Sequence, residues 1–180
     1  AVNCIGAVAN MVHPLSGENE IAFYLRESQP VAAITLDQFY GKFAAIRDKV
    51  ELNHLSIAKI GDALSPAMKV GFALTQGRKI PKIPADAPVL YWGAFLRQGK
   101  KFRSTYRAKQ QKTDPAVILY SGGTTGTTKG ILLSNLNFNA LAAQIIATNP
   151  MFRPGDKMLA VMPMFHGFGL GVTIHSMLGN

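Results

Sequence analysis

Short apolar runs and longer amphipathic stretches take turns along the chain. A short continuous apolar run is typical of a strand buried on both faces, whereas apolar residues that recur with the helical period are typical of a helix. The expected strands occupy 31–36, 55–60, 115–120, 130–133 and 157–163, and another ends within 10–14. The expected helices occupy 16–29, 37–50, 65–77, 134–148 and 167–178, and one more follows Pro88. This alternation predicts an α/β fold in which flanking helices are layered on a mainly parallel sheet.

Residues that cap helices set the expected helix boundaries. The expected N-caps are Ser16 or Asn19, Asp37, Ser65 and Ser134. Pro66 at the first helical position and Gly77 after the last one frame the third helix. The expected apolar side of the second helix is Phe39, Phe43 and Ile46. The expected apolar side of the helix after Ser134 is Leu136, Ala140, Leu141, Ile145 and Ala147.

Composition places the chain among folded proteins. Of its 180 residues, 48% are hydrophobic, which is enough to bury a substantial core and argues against disorder. The single Cys4 excludes an internal disulfide and a cysteine-based metal site, and we expect a small buried side chain there. The first residues lack the basic flank of a secretion signal, which predicts a cytoplasmic protein. The uncharged stretches 131–152 and 158–180 do not resemble membrane spans, because polar residues, Pro163 and several Gly interrupt them.

The net charge of +9 is concentrated in one basic run, residues 97–109, which contains no acidic residue. Its basic residues are Arg97, Lys100, Lys101, Arg103, Arg107 and Lys109. Such a run attracts phosphates, and with Phe102 and Tyr106 interleaved it fits a surface for single-stranded nucleic acid. A solvated face, or a face that contacts another part of a longer protein, fits the same residues. Nucleic acid is not the expected partner, but a non-catalytic nucleotide- or nucleic-acid-binding module stays an alternative function.

A loop rich in Gly and Thr, residues 121–130, follows the apolar run 115–120. Ligands of open α/β sheets bind at the carboxyl ends of strands, where this loop is expected to lie. Gly122, Gly123, Gly126 and Gly130 permit positive φ and let backbone N–H groups approach an anion closely. Ser121, Thr124, Thr125, Thr127 and Thr128 add hydroxyls, and Lys129 adds a positive charge. The residue order matches neither G-x-x-x-x-G-K-[ST] nor G-x-G-x-x-G, so composition leaves a phosphate site and an ordinary surface turn both open.

The order of residues in YSGGTTGTTKGILLSNLNFN, 120–139, resembles the phosphate-loop signature of the AMP-forming adenylate-forming enzymes. That family comprises acyl-CoA synthetases, aryl-CoA ligases, luciferases and peptide-synthetase adenylation domains. The departure is Thr128, where most members have Pro. A second segment, MPMFHGFGL at 162–170, is similar to the family's Pro-x-Phe-His-x-x-Gly. Residues 6–35 are similar to its Gly-Ala, Pro-Leu and acidic-helix region, whereas 61–112 is the least diagnostic part.

This resemblance implies a subdomain of the large N-terminal domain of an acyl-CoA synthetase. In the implied reaction a carboxylate attacks the α-phosphate of MgATP to give an acyl-adenylate, and the thiol of CoA then displaces AMP. ATP, Mg²⁺ and CoA are the implied cofactors and substrates. The implied phosphate contacts are Ser121, Gly122, Gly123, Thr124, Thr125, Gly126 and Lys129, with Thr124 and Lys129 as the catalytic residues. His166 is implied at the border of the acyl pocket, and no metal ligand is assigned.

Residues 1–180 resemble only part of the family's AMP-binding domain. The family's adenine, ribose, hinge and C-terminal lysine segments have no counterpart here, and the chain begins and ends in apolar runs. We therefore expect a piece of a longer ligase that is inactive alone and works with the rest of its own chain, a carboxylic acid, ATP and CoA. Thr128 and the apolar surroundings of His166 favour a long-chain fatty-acid–CoA ligase. An aryl-CoA ligase and a peptide-synthetase adenylation domain stay open.

Overall fold

Strands and helices alternate along the chain, as expected. The computed structural model describes residues 2–102, 106–121, 128–149 and 151–178. The strands in these ranges are β1 (Ala9–Met11), β2 (Ala32–Leu36), β3 (His54–Ala58), β4 (Leu90–Tyr91), β5 (Pro115–Ser121) and β6 (Lys129–Ser134). The helices are α1 (Glu18–Ser28), α2 (Tyr40–Ala45), α3 (Pro66–Leu74), α4 (Trp92–Gly99), α5 (Asn135–Thr148), a π-helix at Gly169–His175, and α6 (Ser176–Leu178). Short 3₁₀-helices occupy Asn3–Ile5, Asp37–Phe39, Arg47–Lys49, Ile60–Ala63 and Gln76–Lys79.

The strands divide between two units of the chain. The split unit joins Ala1–His13 and Tyr106–Asn180, and the continuous unit is Pro14–Thr105. The described strands form one three-stranded sheet in each unit, in the order β1-β5-β6 in the split unit and β2-β3-β4 in the continuous unit. All neighbouring strands are parallel except β5 and β6, which are antiparallel. The predicted α/β fold with mainly parallel strands and flanking helices is confirmed, although the strands form two sheets.

The core of the split unit lies between its sheet and α5. Ala116 and Val117 of β5 and Phe138 of α5 are buried together. Half-buried side chains from β1, β5, β6 and the π-helix pack around them, namely Ala9, Met11, Leu119, Leu133 and Leu170. β5 lies at the centre of this sheet. β1 pairs with it as far as Leu119, and β6 pairs with it as far as its last residue, Ser121.

The buried side of α5 differs from the predicted one. Phe138 and Ala142 are buried, whereas Leu136 is 43% exposed. Ala140 and Ala147 are also exposed, and Leu141 and Ile145 are half-buried. Because successive residues are turned by about 100° in a helix, Leu136 points roughly 200° away from Phe138. The large Phe138 ring packs on the sheet, and this orientation turns the predicted positions 136, 140 and 147 outward.

The continuous unit buries fewer of its strand residues than predicted. Ile46 and Ile57 are fully buried, and α1 contributes Ile21, Ala22, Tyr24 and Leu25 to the unit's core. In β2, however, Ile34 is 60% exposed, so this strand is not buried on both faces. β2 pairs only with β3 among the described strands, and an edge strand has a neighbour on one side only.

Several helix ends lie away from their predicted positions. α1 begins after Gly17, so neither Ser16 nor Asn19 is its N-cap. The segment predicted as one helix from Asp37 is interrupted at Ile46, where φ is −108° and ψ is 3°. The C=O of Ile46 accepts a hydrogen bond from Lys49 N–H at 2.9 Å. A hydrogen bond between residues i and i+3 is the pattern of a 3₁₀-helix, which is wound more tightly than an α-helix.

The third predicted helix begins as expected but ends earlier. Ser65 and Pro66 stand at its start, as predicted. α3 ends at Leu74, before Gly77, because the Thr75 hydroxyl donates to the C=O of Gly71 at 2.8 Å and the backbone of Thr75 leaves the helical region.

The strand predicted at 157–163 does not form in the described structure. Leu159 and Val161 are 84% and 75% exposed. A strand needs a neighbour that takes up its backbone N–H and C=O groups, and no described strand pairs with this segment. An apolar run is suited to a sheet, but it becomes a strand only where the fold supplies the partner.

Cys4 is exposed, contrary to the prediction of a buried side chain. It lies in the single 3₁₀ turn Asn3–Ile5, which buries none of its side chains. The backbone of this turn is nevertheless held, because Cys4 C=O accepts from Ala108 N–H at 2.9 Å. Within the described ranges, no helix is both long enough and apolar enough to cross a bilayer.

Candidate nucleotide-phosphate site

The Gly/Thr loop connects the antiparallel strands β5 and β6 at the carboxyl end of the central strand. Ser121, the last residue of β5, stands opposite Lys129, the first residue of β6. The predicted contacts Gly122, Gly123, Thr124, Thr125 and Gly126 lie outside the described residues. The two described members of the predicted phosphate site therefore stand side by side where the loop leaves the sheet and returns to it.

Lys129 carries an unneutralised positive charge at this position. Its side chain is exposed, and it forms no ion pair with any carboxylate of the described residues. The Ser121 hydroxyl donates to the C=O of Lys129 at 3.5 Å, which is a long hydrogen bond. Neither side chain therefore has a strong partner among the described residues, and a phosphate at the loop would meet a cation and a hydroxyl there.

Gly130 packs closely against side chains of the opposite strand. Glycine permits a positive φ, but the φ of Gly130 is not positive. A Cβ atom at this position would lie 3.2 Å from Cε1 of Tyr120 and 3.4 Å from Cγ2 of Ile118. The Tyr120 ring therefore lies over the Cα of Gly130 on the opposite strand, next to the pair formed by Ser121 and Lys129.

Ser134 fixes the other end of β6 and starts α5, as predicted. Its hydroxyl accepts from Asn137 N–H at 3.3 Å, and Asn137 Oδ1 accepts from Ser134 N–H at 2.8 Å. This reciprocal pair is a capping box with Asn in the place of the usual Glu or Gln. The next two N–H groups, of Asn135 and Leu136, donate to C=O groups of Asp114 and Lys112, just before β5. The hairpin and the start of α5 are therefore fastened to the same stretch of chain.

His166 caps the helical segment that contains the π-helix. Its Nδ1 accepts from Phe168 N–H at 3.2 Å, and its C=O accepts from Leu170 N–H at 2.9 Å. Because Nδ1 is an acceptor, the neutral ring carries its hydrogen on Nε2. The side chain is exposed. The His166 ring is thus oriented by the backbone and presents an N–H donor away from it.

Three glycines after His166 allow close packing at this turn. A Cβ on Gly169 would lie 2.1 Å from the C=O oxygen of Pro163, a distance at which the backbone must move. A Cβ on Gly171 would lie 2.9 Å from Cδ2 of Leu141, and one on Gly167 would lie 3.2 Å from Cδ1 of Leu119. The glycines therefore let the segment 163–171 pack closely against itself, against α5 and against the end of β5.

The two predicted motifs meet at the carboxyl edge of the split unit's sheet. Gly167 packs beside Leu119, two residues before Ser121. The ring of His13, just after β1, makes an edge-to-face contact with Phe165, with a centroid distance of 4.4 Å. No role was assigned to His13 from the sequence. Its position directly after an apolar strand could have indicated that it lies at the carboxyl edge of the sheet. The structure thus brings the His166 turn next to the strand that leads into the Gly/Thr loop.

Potential metal ligands are not grouped in the described ranges. No three His, Cys, Asp or Glu side chains there come together in a way that could hold a metal ion. The described part of the site offers hydroxyls, a lysine and a histidine N–H, which are donors suited to an anion.

A sequence model of the family described as "AMP-binding enzyme" matches residues 1–180. The chain belongs to this family. Across 172 residues it is 28% identical to a long-chain-fatty-acid–CoA ligase of Bacillus subtilis, a match that covers 94% of the chain and 31% of the relative. Across 174 residues it is 30% identical to a long-chain-fatty-acid–CoA ligase of Escherichia coli O6:H1, covering 93% and 30%.

The fold agrees with this family assignment. The crystal structure of an anthranilate CoA ligase in complex with anthranoyl-AMP superposes with a TM-score of 0.76 at 20% identity, covering 99% of this chain and 30% of that one. The chain therefore has the fold of one part of an AMP-binding enzyme. It spans about three tenths of the length of the curated relatives that it matches.

Proposed function

We propose that these residues form the phosphate-loop part of an AMP-forming CoA ligase, which activates a carboxylic acid with ATP and transfers the acyl group to CoA. The observation that carries the proposal is the pair Ser121 and Lys129, which stand opposite each other at the carboxyl end of β5 and have no strong partner in the part of the chain that the structure describes. Membership of the AMP-binding enzyme family supports it. The relatives are about three times as long, so we propose that 1–180 is a partial AMP-binding domain of such a ligase. Its cytoplasmic location stays a prediction from the sequence.

The chemistry consists of two displacements. In the first, a carboxylate oxygen of the acid attacks the α-phosphorus of ATP, the bond to the β-phosphate oxygen breaks, and pyrophosphate leaves. In the second, the thiolate sulfur of CoA attacks the acyl carbon, and AMP leaves with the electron pair of the broken bond. Negative charge grows on the leaving pyrophosphate in the first step, and Mg²⁺ bound to the ATP phosphates would neutralise part of it.

We assign the electrostatic part of the first step to the Gly/Thr loop. Lys129 would stabilise the growing charge, because a fixed cation lowers the energy of a transition state in which anionic charge increases. The hydroxyls of Thr124, Thr125 and Ser121 would donate hydrogen bonds to the same phosphates. Gly122, Gly123 and Gly126 would let the backbone N–H groups approach them.

His166 is proposed at the border of the acyl pocket. Its Nδ1 accepts a hydrogen bond from Phe168 N–H, and the side chain is exposed. Such a ring would shape the pocket or donate a hydrogen bond to the substrate, and it need not transfer a proton. Phe165 and His13 would support the same turn through their ring contact.

A long-chain fatty acid is the proposed substrate class. The names of the Bacillus subtilis and Escherichia coli relatives support this class. The solved anthranilate CoA ligase is 20% identical and supports the fold alone, so an aryl acid stays the alternative. We expect that residues 1–180 alone complete neither half-reaction, because we propose that they work together with the rest of a longer chain.

The test is acid-dependent exchange of labelled pyrophosphate into ATP by the full-length protein that contains these residues. Hexadecanoate, octanoate, benzoate and an amino acid are compared at equal concentration. We expect hexadecanoate to give the fastest exchange. Fastest exchange with benzoate would correct the substrate class and leave adenylation intact. No exchange with any acid would contradict the proposed function.

A further inference from the structure

A cavity of about 550 Å³ opens at the carboxyl edge of the continuous unit's sheet. Each strand contributes a residue at or directly after its carboxyl end: Asp37 follows β2, Lys59 follows β3, and Tyr91 ends β4. In open parallel sheets ligands bind outside the carboxyl ends of the strands, where loops diverge and leave a crevice. This cavity therefore lies where the fold itself favours a ligand site.

Positive charge dominates the cavity wall. Lys59, Lys69, Arg78 and Lys82 line the cavity, against the single acidic side chain of Asp37 among the described lining residues. None of the four cations forms an ion pair with a described carboxylate. Asp37 Oδ1 accepts a hydrogen bond from its neighbour Gln38 N–H at 3.0 Å, so part of its acceptor capacity is used. All four side chains are exposed, so solvent and salt weaken their mutual repulsion, but together they make the crevice attractive to an anion.

Apolar surface lies beside these charges. Phe72, Ile80, Ile83 and the Tyr91 ring also line the cavity. Lys59 Nζ stands 4.6 Å from the centroid of the Tyr91 ring, which holds a cation directly beside an aromatic surface. The volume falls within the range of about 300–1,000 Å³ that is typical of small-molecule sites and is far larger than a single phosphate ion needs.

We propose that this cavity binds a phosphate-bearing nucleotide, with its phosphates at the four cations and its base on the apolar side. None of the described residues of the Gly/Thr loop, 121 and 128–130, lines it. The site is thus additional to the phosphate loop proposed above. ATP and CoA both carry the required chemistry, a nucleoside with attached phosphates, and the experiment distinguishes between them.

The experiment titrates the 180-residue chain with ATP, CoA and pyrophosphate and follows the fluorescence of Trp92. This residue is the only Trp in the sequence and directly follows Tyr91, so it reports on this cavity. All titrations use the Lys129→Ala background, which removes the cation of the Gly/Thr loop. If no nucleotide binds in this cavity, the proposed adenylation is not contradicted. If the full-length protein does not adenylate an acid, nucleotide binding in this cavity is not contradicted.

Two charge changes of opposite sign test the cavity. Arg78→Gln with Lys82→Gln should raise the Kd for the nucleotide about tenfold, because charge-assisted contacts to phosphate are lost. Asp37→Asn should lower it about threefold, because the acid that repels phosphate is removed. The matched control is Lys49→Gln with Lys79→Gln, which removes the same charge from positions that do not line the cavity and should change Kd less than about twofold.

The outcomes separate this site from general attraction by a basic protein. A control variant that binds as weakly as the cavity variant would show that net charge alone binds the nucleotide, and would overturn the proposal. Equal binding of ATP, CoA and pyrophosphate would show that the base is not recognised, and would also overturn it. Tighter binding of ATP or CoA than of pyrophosphate supports the proposal, and the tighter of the two identifies the source of the nucleotide.

Discussion

The two units each present basic residues at the carboxyl edge of a small sheet, but they build these edges differently. In the split unit the basic residue is Lys129, at the end of one contiguous loop. In the continuous unit the cations come from Lys59, Lys69, Arg78 and Lys82, which stand on separate elements and are brought together by folding. A contiguous loop leaves a readable motif in the sequence, whereas a site assembled from separate elements does not.

This difference explains why 61–112, the least diagnostic stretch in the sequence, supplies much of the cavity wall. Its basic residues look like ordinary surface charges until β2, β3 and β4 align their carboxyl ends. The following predictions test how firmly each unit depends on its own packing. They are ordered by the expected change in the free energy of unfolding.

Gly169→Ala should destabilise the split unit by about 3 kcal/mol, because its Cβ would meet the backbone of Pro163, which cannot move aside as a side chain would. Chemical denaturation monitored by amide exchange of β5 and α5 measures this change. Gly99→Ala is the matched control, because a Cβ there meets nothing within 4 Å. Similar unfolding curves for the two variants would contradict the packing described at this turn.

Ser134→Ala should destabilise the split unit by about 1 kcal/mol, because α5 loses the hydroxyl that accepts from Asn137 N–H. Ser65→Ala is the comparison in the continuous unit. Ser65 stands at the N-cap of α3 but makes no side-chain hydrogen bond there, so its loss should cost less than about 0.5 kcal/mol. If denaturant titrations give the same loss in the free energy of unfolding for both variants, the capping box does not stabilise α5 more than Ser65 stabilises α3.

Gly71→Ala should stabilise the continuous unit by about 0.5–1 kcal/mol. Gly71 lies within α3, a Cβ there meets nothing within 4 Å, and Ala favours the helix through its lower conformational freedom in the unfolded chain. A higher denaturation midpoint with an unchanged dependence on denaturant confirms the prediction. A lower midpoint would show that α3 packs more tightly around Gly71 than the structure indicates.

Local features of the fold were predictable from the sequence, and features that depend on distant partners were not. Ser134 and Pro66 mark helix starts through bonds and angles within a few residues. The segment 157–163 has the composition of a strand, but strand formation depends on a neighbouring strand, which composition does not reveal. The buried side of α5 depends on how Phe138 meets β5, which is also a contact between distant residues.

The candidate site shows the same limit. The resemblance to a known signature predicted the loop, Lys129 and His166. The contact of His13 with Phe165, and the close approach of Gly167 to Leu119, depend on how β1 and β5 lie under the second motif. These positions became visible only when the strands were placed side by side.

The central claim is that the split unit supplies the phosphate loop for adenylation. The most direct test compares acid-dependent ATP–pyrophosphate exchange by the full-length protein with its Lys129→Ala and Lys112→Ala variants. Lys112 is exposed and stands before β5, so its variant removes the same charge away from the loop. We predict that Lys129→Ala lowers the exchange rate about 100-fold and that Lys112→Ala leaves it within about twofold of the unmodified protein. Unchanged exchange in Lys129→Ala would contradict the claim.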